Sequence, residues 1–208
     1  MLCSCNHSTT ATSLINLNNN LFKKALKTNE EIVNAYPSNP EYQNFLAISY
    51  TNLGSFYLST KQTREGQQAF KKALEIEEEI ARTNPTNSLY QITLASFYQS
   101  FGHILYLDVN RVKEVEDFFK KALRINQKVA NENPNNAMYQ NNLAASYSSM
   151  GFLQDNTGRF KEAEKSYQQA ISIMELLVLK NPSNKLFKQS LDLYQSSLKF
   201  LQNKKRVD

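Results

Sequence analysis

A proline recurs along this 208-residue chain at nearly constant spacing. Pro37, Pro85, Pro134 and Pro182 lie 48, 49 and 48 residues apart. Twelve residues before each proline stands an alanine, and three residues before that alanine stands a phenylalanine or tyrosine. A register held over four copies indicates a repeat protein, in which each unit buries its apolar face only against its neighbours.

The residues before each proline predict one helix, and those after it predict another. Phe70, Ala73, Leu74 and Ile80 follow helical spacing, and the same offsets recur in the other copies. A residue that precedes proline is disfavoured in the α conformation, so these B helices end there. Two residues after each proline stands an asparagine, a good N-cap for the next helix, which we call an A helix. The short link between them predicts an antiparallel hairpin.

The A helices contain a glycine at a constant position. Gly54, Gly102 and Gly151 follow a tyrosine by four residues, inside each predicted helix. Glycine within a helix costs about 1 kcal/mol relative to alanine. Three such residues in register indicate that a neighbouring helix passes close to each of them.

These patterns predict an all-α helical-hairpin repeat of about eight helices over residues 17–202. A Ser-, Thr- and Asn-rich flexible leader is expected at residues 1–16, and a basic tail at 203–208. We expect the last helix to cap the array, with a polar outer face formed by Lys185, Lys188, Asp192, Gln195 and Lys199. The predicted helices span residues 18–36, 39–59, 64–83, 87–107, 112–132, 136–155, 160–180 and 184–202.

One stretch carries a family resemblance. Tyr147-x-x-Met150-Gly151, followed by Gly158-x-Phe160-x-x-Ala163-x-x-x-Tyr167-x-x-Ala170, resembles the tetratricopeptide repeat. The copy from Tyr50 to Ala73 is similar, and the copy from Tyr98 to Ala122 is weaker. The repeat of 48 residues is longer than the family's 34 residues, as in long-repeat bacterial arrays.

The resemblance implies a right-handed solenoid whose A helices line a concave groove that takes an extended or helical peptide. Family members that clamp a partner's terminal carboxylate use Lys, Arg and Asn in this groove. Here the matching positions hold Thr51, Ser55, Ser100, Ala145 and Ser149, so a small, neutral, hydroxyl-rich surface is expected instead. The groove residues that the resemblance implies are Ile48, Thr51, Ser55, Ser96, Gln99, His103, Ala145, Ser148 and Phe152.

The charge pattern is that of a solvated surface. The net charge is +5, but Glu75 to Glu79 are interleaved with Lys71, Lys72 and Arg82. The one basic cluster is Lys204-Lys205-Arg206, so a nucleic-acid partner is not expected. The chain has no run of 18 apolar residues, so we expect no transmembrane segment.

The residues that catalysis needs are sparse. The chain has two histidines, His7 and His103, and two cysteines, Cys3 and Cys5. No cluster has metal-ligand spacing, so we expect no metal site and no cofactor. The carboxylates of Glu77, Glu78 and Glu79 are expected on exposed helix faces, where their pKa values would stay ordinary. An enzyme is therefore not expected.

Two functional hypotheses remain. The first is a noncatalytic scaffold, cytoplasmic and bacterial, that binds a partner protein or peptide in the groove. The second is a structural or regulatory repeat array of a larger signalling or membrane-anchored assembly, which self-associates through its open N-terminal helix. Leu2-Cys3-Ser4-Cys5 resembles the end of a lipoprotein signal, so lipid anchoring at Cys5 is an alternative if the true start lies upstream.

Overall fold

A computed structural model describes residues 6–106 and 108–204, with side chains from residue 13 onward. Within these residues every regular element is helical and none is a strand, so the predicted all-α helical-repeat class, typical of solenoids, is confirmed. A short 3₁₀ turn, Val109–Arg111, precedes α5. The helices are α1 (Asn6–Ala35), α2 (Pro40–Ser59), α3 (Thr63–Thr83), α4 (Ser88–Leu105), α5 (Val112–Glu132), α6 (Ala137–Asn156), α7 (Phe160–Lys180) and α8 (Lys185–Lys204).

The repeated asparagines begin the A helices. In α2, the Asn39 side-chain oxygen accepts a hydrogen bond from the Glu41 backbone N–H at 2.9 Å. The asparagine oxygens that precede α4, α6 and α8 accept equivalent bonds at 3.0 Å. Each bond satisfies an amide that has no partner within its own helix. The helix stop before the proline and the restart after it are therefore both encoded locally.

The chain divides into two compact units, Met1–Asn84 and Pro85–Asp208. In the first unit α1 and α2 are antiparallel. Phe22 packs on Phe56 with 5.4 Å between ring centroids, the Asn29 amide donates to the Ser49 hydroxyl at 2.7 Å, and Tyr36 lies on Tyr42. Helix α3 then packs against α2.

In the second unit α4 pairs with α5, α6 pairs with α7, and α8 packs on α7. Helix α6 also contacts α4 and α8, so the three A helices of this unit lie side by side. Tyr194 of α8 enters a buried cluster with Met174 and Leu177, and Leu201 enters a second cluster with Tyr167. These two residues attach α8 to the core.

The repeated glycines lie under aromatic rings of the paired B helices, at the positions where the sequence predicted the close approach of a neighbouring helix. A Cβ atom at Gly102 would stand 2.5 Å from Cε1 of Phe119, and one at Gly151 would stand 2.9 Å from the Tyr167 ring. Real Cβ contacts are never that short, so a larger residue would displace the ring. The ring of the paired B helix thus makes the close approach.

The start of α1 corrects the predicted leader. Residues 6–16 were expected to be flexible, but α1 begins at Asn6. Its apolar spacing continues upstream through Leu14 and Leu17, and no Pro or Gly interrupts the helix. Residues 1–5, with Cys3 and Cys5, lie outside the described residues.

The end of α8 corrects the predicted tail. Residues 203 and 204 belong to the helix. The Lys204 ammonium is 3.0 Å from Oδ1 of Asp155 and lies over the Phe160 ring at 4.9 Å. These contacts extend the helix past residue 202, where the sequence alone showed only a basic run. Residues 205–208 lie outside the described part of the chain.

Candidate functional site

One face of the A helices in the second unit carries a regular set of surface residues. Positions 4, 11 and 18 after each repeat proline are seven residues apart, which places them on one side of a helix. We call the nine such residues the A face. They are Leu89, Ser96 and His103 on α4, Met138, Ala145 and Phe152 on α6, and Leu186, Leu193 and Phe200 on α8.

The A face is more apolar than the sequence predicted. Six of its nine residues are large hydrophobic side chains that remain exposed. On α8 the exposed fractions are 71% for Leu186, 61% for Leu193 and 66% for Phe200. A contiguous exposed apolar patch on a folded protein commonly marks an interaction site.

Five of the six exposed apolar residues lie in two rows that cross the A helices, and the sixth, Leu193, lies between the rows on α8. The first row is Leu89, Met138 and Leu186, at position 4. The second row, at position 18, is 14 residues further along each helix, which corresponds to about 21 Å at 1.5 Å per residue. Between the rows, Ser96 on α4 and Ala145 on α6 have small side chains, whereas α8 carries Leu193. Since an α-helix with side chains is about 10–12 Å across, this space admits a helix or an extended peptide.

A hydrogen-bonded cluster joins α4 to α6 at one end of the A face. The Gln99 amide donates to the Ser149 hydroxyl at 3.5 Å, and His103 Nε2 lies 3.3 Å from the same oxygen. The Phe152 ring packs on Tyr106 with 4.8 Å between centroids and on His103 at 6.4 Å. The structure thus brings together three of the predicted groove residues, Gln99, His103 and Phe152.

His103 is held neutral by its surroundings. Its ring packs against Phe119, with 4.8 Å between centroids, and loss of solvent around the ring lowers the pKa of His103. A neutral imidazole is therefore the form present near pH 7. It acts in this cluster as a hydrogen-bonding side chain without charge.

Two of the predicted groove hydroxyls are engaged within their own helices. Thr51 Oγ1 donates to the Ala47 carbonyl at 2.9 Å, and Ser96 Oγ donates to the Ile92 carbonyl at 3.0 Å. A hydroxyl has one proton to donate, so these groups can only accept a bond from a ligand. The predicted hydroxyl-rich surface therefore offers fewer donors than its composition suggests.

Charge is nearly absent from α4 and α6. Helix α4 has no Asp, Glu, Lys or Arg, and α6 has only Asp155, which is paired with Lys204. The charged residues of the second unit lie mainly on α5, α7 and α8. The part of the A face on α4 and α6 can therefore bind a partner by apolar contact and neutral hydrogen bonds.

The remaining predicted groove residues lie on α2 and α6. On α2, in the first unit, Ile48 and Ser55 are exposed and Thr51 is half-buried. On α6, Ala145 and Ser148 are half-buried. Ile48 gives α2 one large exposed apolar side chain at the same repeat position as Leu193.

Leu186, Leu193 and Phe200 were missed as site residues. The residues predicted for the polar face of α8 are exposed, but these three apolar residues are exposed as well. Their spacing of seven, in register with Ile48 and Phe152, was the sequence signal that could have found them. The polar side of α8 is the one that would meet a paired B helix, since Asp192 and Lys199 replace the buried alanine and glycine of the other A helices.

Glu77 also differs from its expectation. The sequence placed Glu77 on an exposed face, but its side chain is 1% exposed and neither carboxylate oxygen has a hydrogen-bond partner in the structure. Burial raises the pKa of Glu77 to about 7.

No group of three or more His, Cys, Asp or Glu side chains that could hold a metal occurs among the described residues. None of the described helices is long and apolar enough to cross a membrane.

Comparison with known proteins finds a family match in two segments of the chain. A family model described as tetratricopeptide repeat matches residues 47–80 and 144–173. The weaker copy around Phe101 and Val115 lies outside both segments. None of the curated proteins compared with the chain matches it.

Several solved structures are similar at low identity. BtubC (BKLC) from P. vanneervenii has 9% identity and a TM-score of 0.43, with 93% of this chain and 91% of that chain covered. The MamA RS-1 ArsTM double mutant has 15% identity and a TM-score of 0.41, with 93% and 97% covered. The de novo designed helical repeat protein DHR64 has 9% identity and a TM-score of 0.33, with 91% and 96% covered. Scores this low transfer neither fold nor function.

Proposed function

We propose that this chain, in which a tetratricopeptide-repeat model matches two segments, is a noncatalytic interaction scaffold that binds a protein partner on the A face of its second unit. The repeat family serves in general as an interaction scaffold. The observation that supports this site is the set of six large hydrophobic side chains that stay exposed at regularly spaced positions of α4, α6 and α8.

The arrangement of residues on the A face indicates which kind of partner segment would bind there. Two rows about 21 Å apart flank small residues on α4 and α6 and Leu193 on α8, which suits a helix or extended segment lying across the three A helices. Large apolar side chains of the partner would contact Leu186, Leu193 and Phe200. The Ser149 cluster, with Gln99 and His103, would supply neutral hydrogen bonds at one end.

The buried carboxylate of Glu77 is consistent with a noncatalytic role. Glu77 has a raised pKa, but the structure gives its oxygens no hydrogen-bond partner. Acid–base catalysis requires a second group within hydrogen-bond reach or a substrate that fits beside the first. A buried carboxylate without such a partner affects stability, and it does not define a reaction site.

A pull-down tests the proposed site. Wild-type protein and a Phe152→Ser/Leu193→Ser variant are immobilised and exposed to extract from the source cells, and retained proteins are identified by mass spectrometry. Leu179→Ser is the matched control, because Leu179 is an exposed leucine on α7, away from the A face. We expect the double variant to lose specific partners that the control retains. Identical sets of retained proteins would contradict the A face as the binding site.

The cellular location stays a prediction. A cytoplasmic scaffold and a lipid anchor at Cys5 are both still open, and Cys5 lies outside the described residues. The bacterial origin suggested by the repeat length also remains a prediction. Fractionation of cells with and without a Cys5→Ser substitution distinguishes the two locations. Only a protein anchored at Cys5 would move out of the membrane fraction when Cys5 is replaced.

A further inference from the structure

In helix α1, a face that is buried in the other B helices is exposed to solvent. Ala73, Ala122 and Ala170 are fully buried at the same repeat position, whereas Ala25 of α1 is exposed. Beside it, Leu14 is 60% exposed, Leu17 is 54% exposed and Leu21 is 56% exposed. These three leucines lie at helical spacing and form one stripe, which we call the α1 stripe.

The start of α1 also extends beyond its neighbour. The contacts of Phe22 with Phe56 and of Asn29 with Ser49 set an antiparallel register in which Ser59, the last residue of α2, lies opposite residue 19. The residues of α1 before this point project past α2. They are rich in Ser, Thr and Asn, which are weak helix formers. A short helix of this composition is marginal in water without a packing partner.

The polar side of α8 does not suit the α1 stripe. A second copy could in principle continue the repeat by placing its α1 where a B helix would follow α8. That side of α8 carries Asp192 and Lys199 in place of alanine and glycine. An exposed aspartate and lysine there would have to be desolvated against leucines, which is unfavourable.

The A face matches the α1 stripe in chemistry. Residues 8–22 of α1 contain no Asp, Glu, Lys or Arg, and α4 and α6 carry one charge between them, the paired Asp155. Both surfaces present large exposed aliphatic side chains. Docking the two surfaces would therefore bury no unpaired charge from α1, α4 or α6. The lysines of α8 can keep their ammonium groups in solvent.

We propose that the α1 stripe of one copy docks on the A face of a second copy. This inference uses the binding face assigned under the proposed function, and it names a second copy of this chain as one occupant. The leucines Leu14, Leu17 and Leu21 lie across α4, α6 and α8 and contact Leu193 and Phe200. The contact joins two different surfaces, so each copy offers one surface and accepts on the other. Assembly therefore proceeds head to tail, into rings or open chains.

Sedimentation velocity over a range of concentrations tests the docking. Wild-type protein is expected to associate as its concentration rises, and Leu17→Glu and Leu193→Glu are each expected to remain monomeric. Asn16→Glu and Gln195→Glu are the matched controls, because each places a glutamate at an exposed position of the same helix, outside the two surfaces. Circular dichroism melting checks that all four variants are folded. A wild type that stays monomeric, or controls that also stay monomeric, would overturn the proposal.

Mixing the two variants gives the decisive result. The Leu17→Glu protein keeps an intact A face, and the Leu193→Glu protein keeps an intact α1 stripe. A head-to-tail contact therefore predicts a one-to-one heterodimer that grows no further. If only Leu17→Glu blocks association, or if the mixture stays monomeric, the docking on the A face is wrong and a contact between two α1 helices would replace it.

The same proteins separate this inference from the proposed function. Leu17→Glu leaves the A face unchanged, so a partner bound there is still retained in a pull-down. Retention of partners by a monomeric wild type would overturn self-docking and leave the proposed function standing. If the protein self-associates but the Phe152→Ser/Leu193→Ser variant retains every partner, the proposed function is wrong and self-docking stands.

Discussion

A carboxylate that is buried without a hydrogen-bond partner links the stability of this protein to pH. Glu77 is one residue among three consecutive glutamates, and only its register on α3 distinguishes it from them. Its counterparts in the other B helices are Asn29, Asn126 and Met174, and the first two donate hydrogen bonds to serines of the next helix. The repeat therefore places a buried side chain at this position, and a glutamate there is costly when charged.

Replacing Glu77 with glutamine should remove part of the pH dependence of folding. Burial raises the pKa of Glu77 from 4.5 to about 7, so between these values the folded state holds a proton that the unfolded state has released. The free energy of unfolding should then fall as pH rises through this window, by about 3 kcal/mol for this group. Urea denaturation at pH 4.5, 5.5 and 7.5 measures it, and Glu77→Gln should show a smaller fall.

Glu75→Gln is the control for this prediction. Glu75 is exposed on the same helix, 3.8 Å from Lys71, and such surface pairs contribute little to stability. The control should keep the pH profile of the wild type. A Glu77→Gln profile that parallels the wild type would contradict the assignment of the raised pKa to a buried carboxylate.

Gly102→Ala should destabilise the protein although alanine is the better helix former. The added methyl group would stand 2.5 Å from the Phe119 ring, which is buried and cannot move freely. Overpacking of this kind typically costs about 1–3 kcal/mol, against about 1 kcal/mol gained in helix propensity. Thermal and urea denaturation measure the change. Ser100→Ala, exposed on the same helix, should be neutral or slightly stabilising, and a stabilised Gly102→Ala would contradict the packing.

At the scale of single elements, α8 carries buried and exposed apolar residues on adjacent faces, and the exposed set is the one we propose for binding. Leu201 and Tyr194 are buried against the core of the second unit, whereas Leu193 and Phe200 face outward. The helix ends in an ion pair between Lys204 and Asp155. One amphipathic pattern thus attaches the helix, and a second apolar stripe remains exposed and is the one we propose for binding.

Leu201→Ala should lower the stability of the protein, whereas Leu193→Ala should weaken partner binding. Leu201 is fully buried, so its truncation should lower the free energy of unfolding by about 2–5 kcal/mol. Leu193→Ala should change stability by less than about 0.5 kcal/mol and weaken partner retention. Denaturation and pull-down on both variants check this. Equal destabilisation by the two would show that Leu193 is a folding residue and not a surface for binding.

At the scale of the whole molecule, charge is concentrated outside α2, α4 and α6. The chain carries 24 basic and 19 acidic residues, yet α2, α4 and α6 together contain only Glu41 and Asp155. The B helices carry most of the rest and provide the solvated surface. A net charge of +5 therefore says little about the chemistry of the A face.

Partner binding should depend weakly on ionic strength. Contacts to α4 and α6 are apolar or neutral, and salt screens only interactions between charges. Retention of the partner should remain within about twofold between 50 and 500 mM NaCl, measured by titration of the purified partner. A loss of more than tenfold over this range would indicate that the charged B helices, and not the A face, make the contact.

Much of this fold was encoded locally. The proline that ends each B helix and the asparagine that caps each A helix act within a few residues, so the spacing of these signals predicted the hairpins, and the glycine register predicted the close helix contact. Helix ends with no such signal were less predictable, as Asn6 and Lys204 show.

Burial was decided only by the tertiary structure. A spacing of seven places Leu186, Leu193 and Phe200 on one face, but it does not say whether a neighbouring helix covers that face. Glu77 and Glu75 look alike in sequence, and one is buried while the other is exposed because of how the helices pack. Local propensity therefore determined where the helices form, and the packing between them determined which side chains remain exposed.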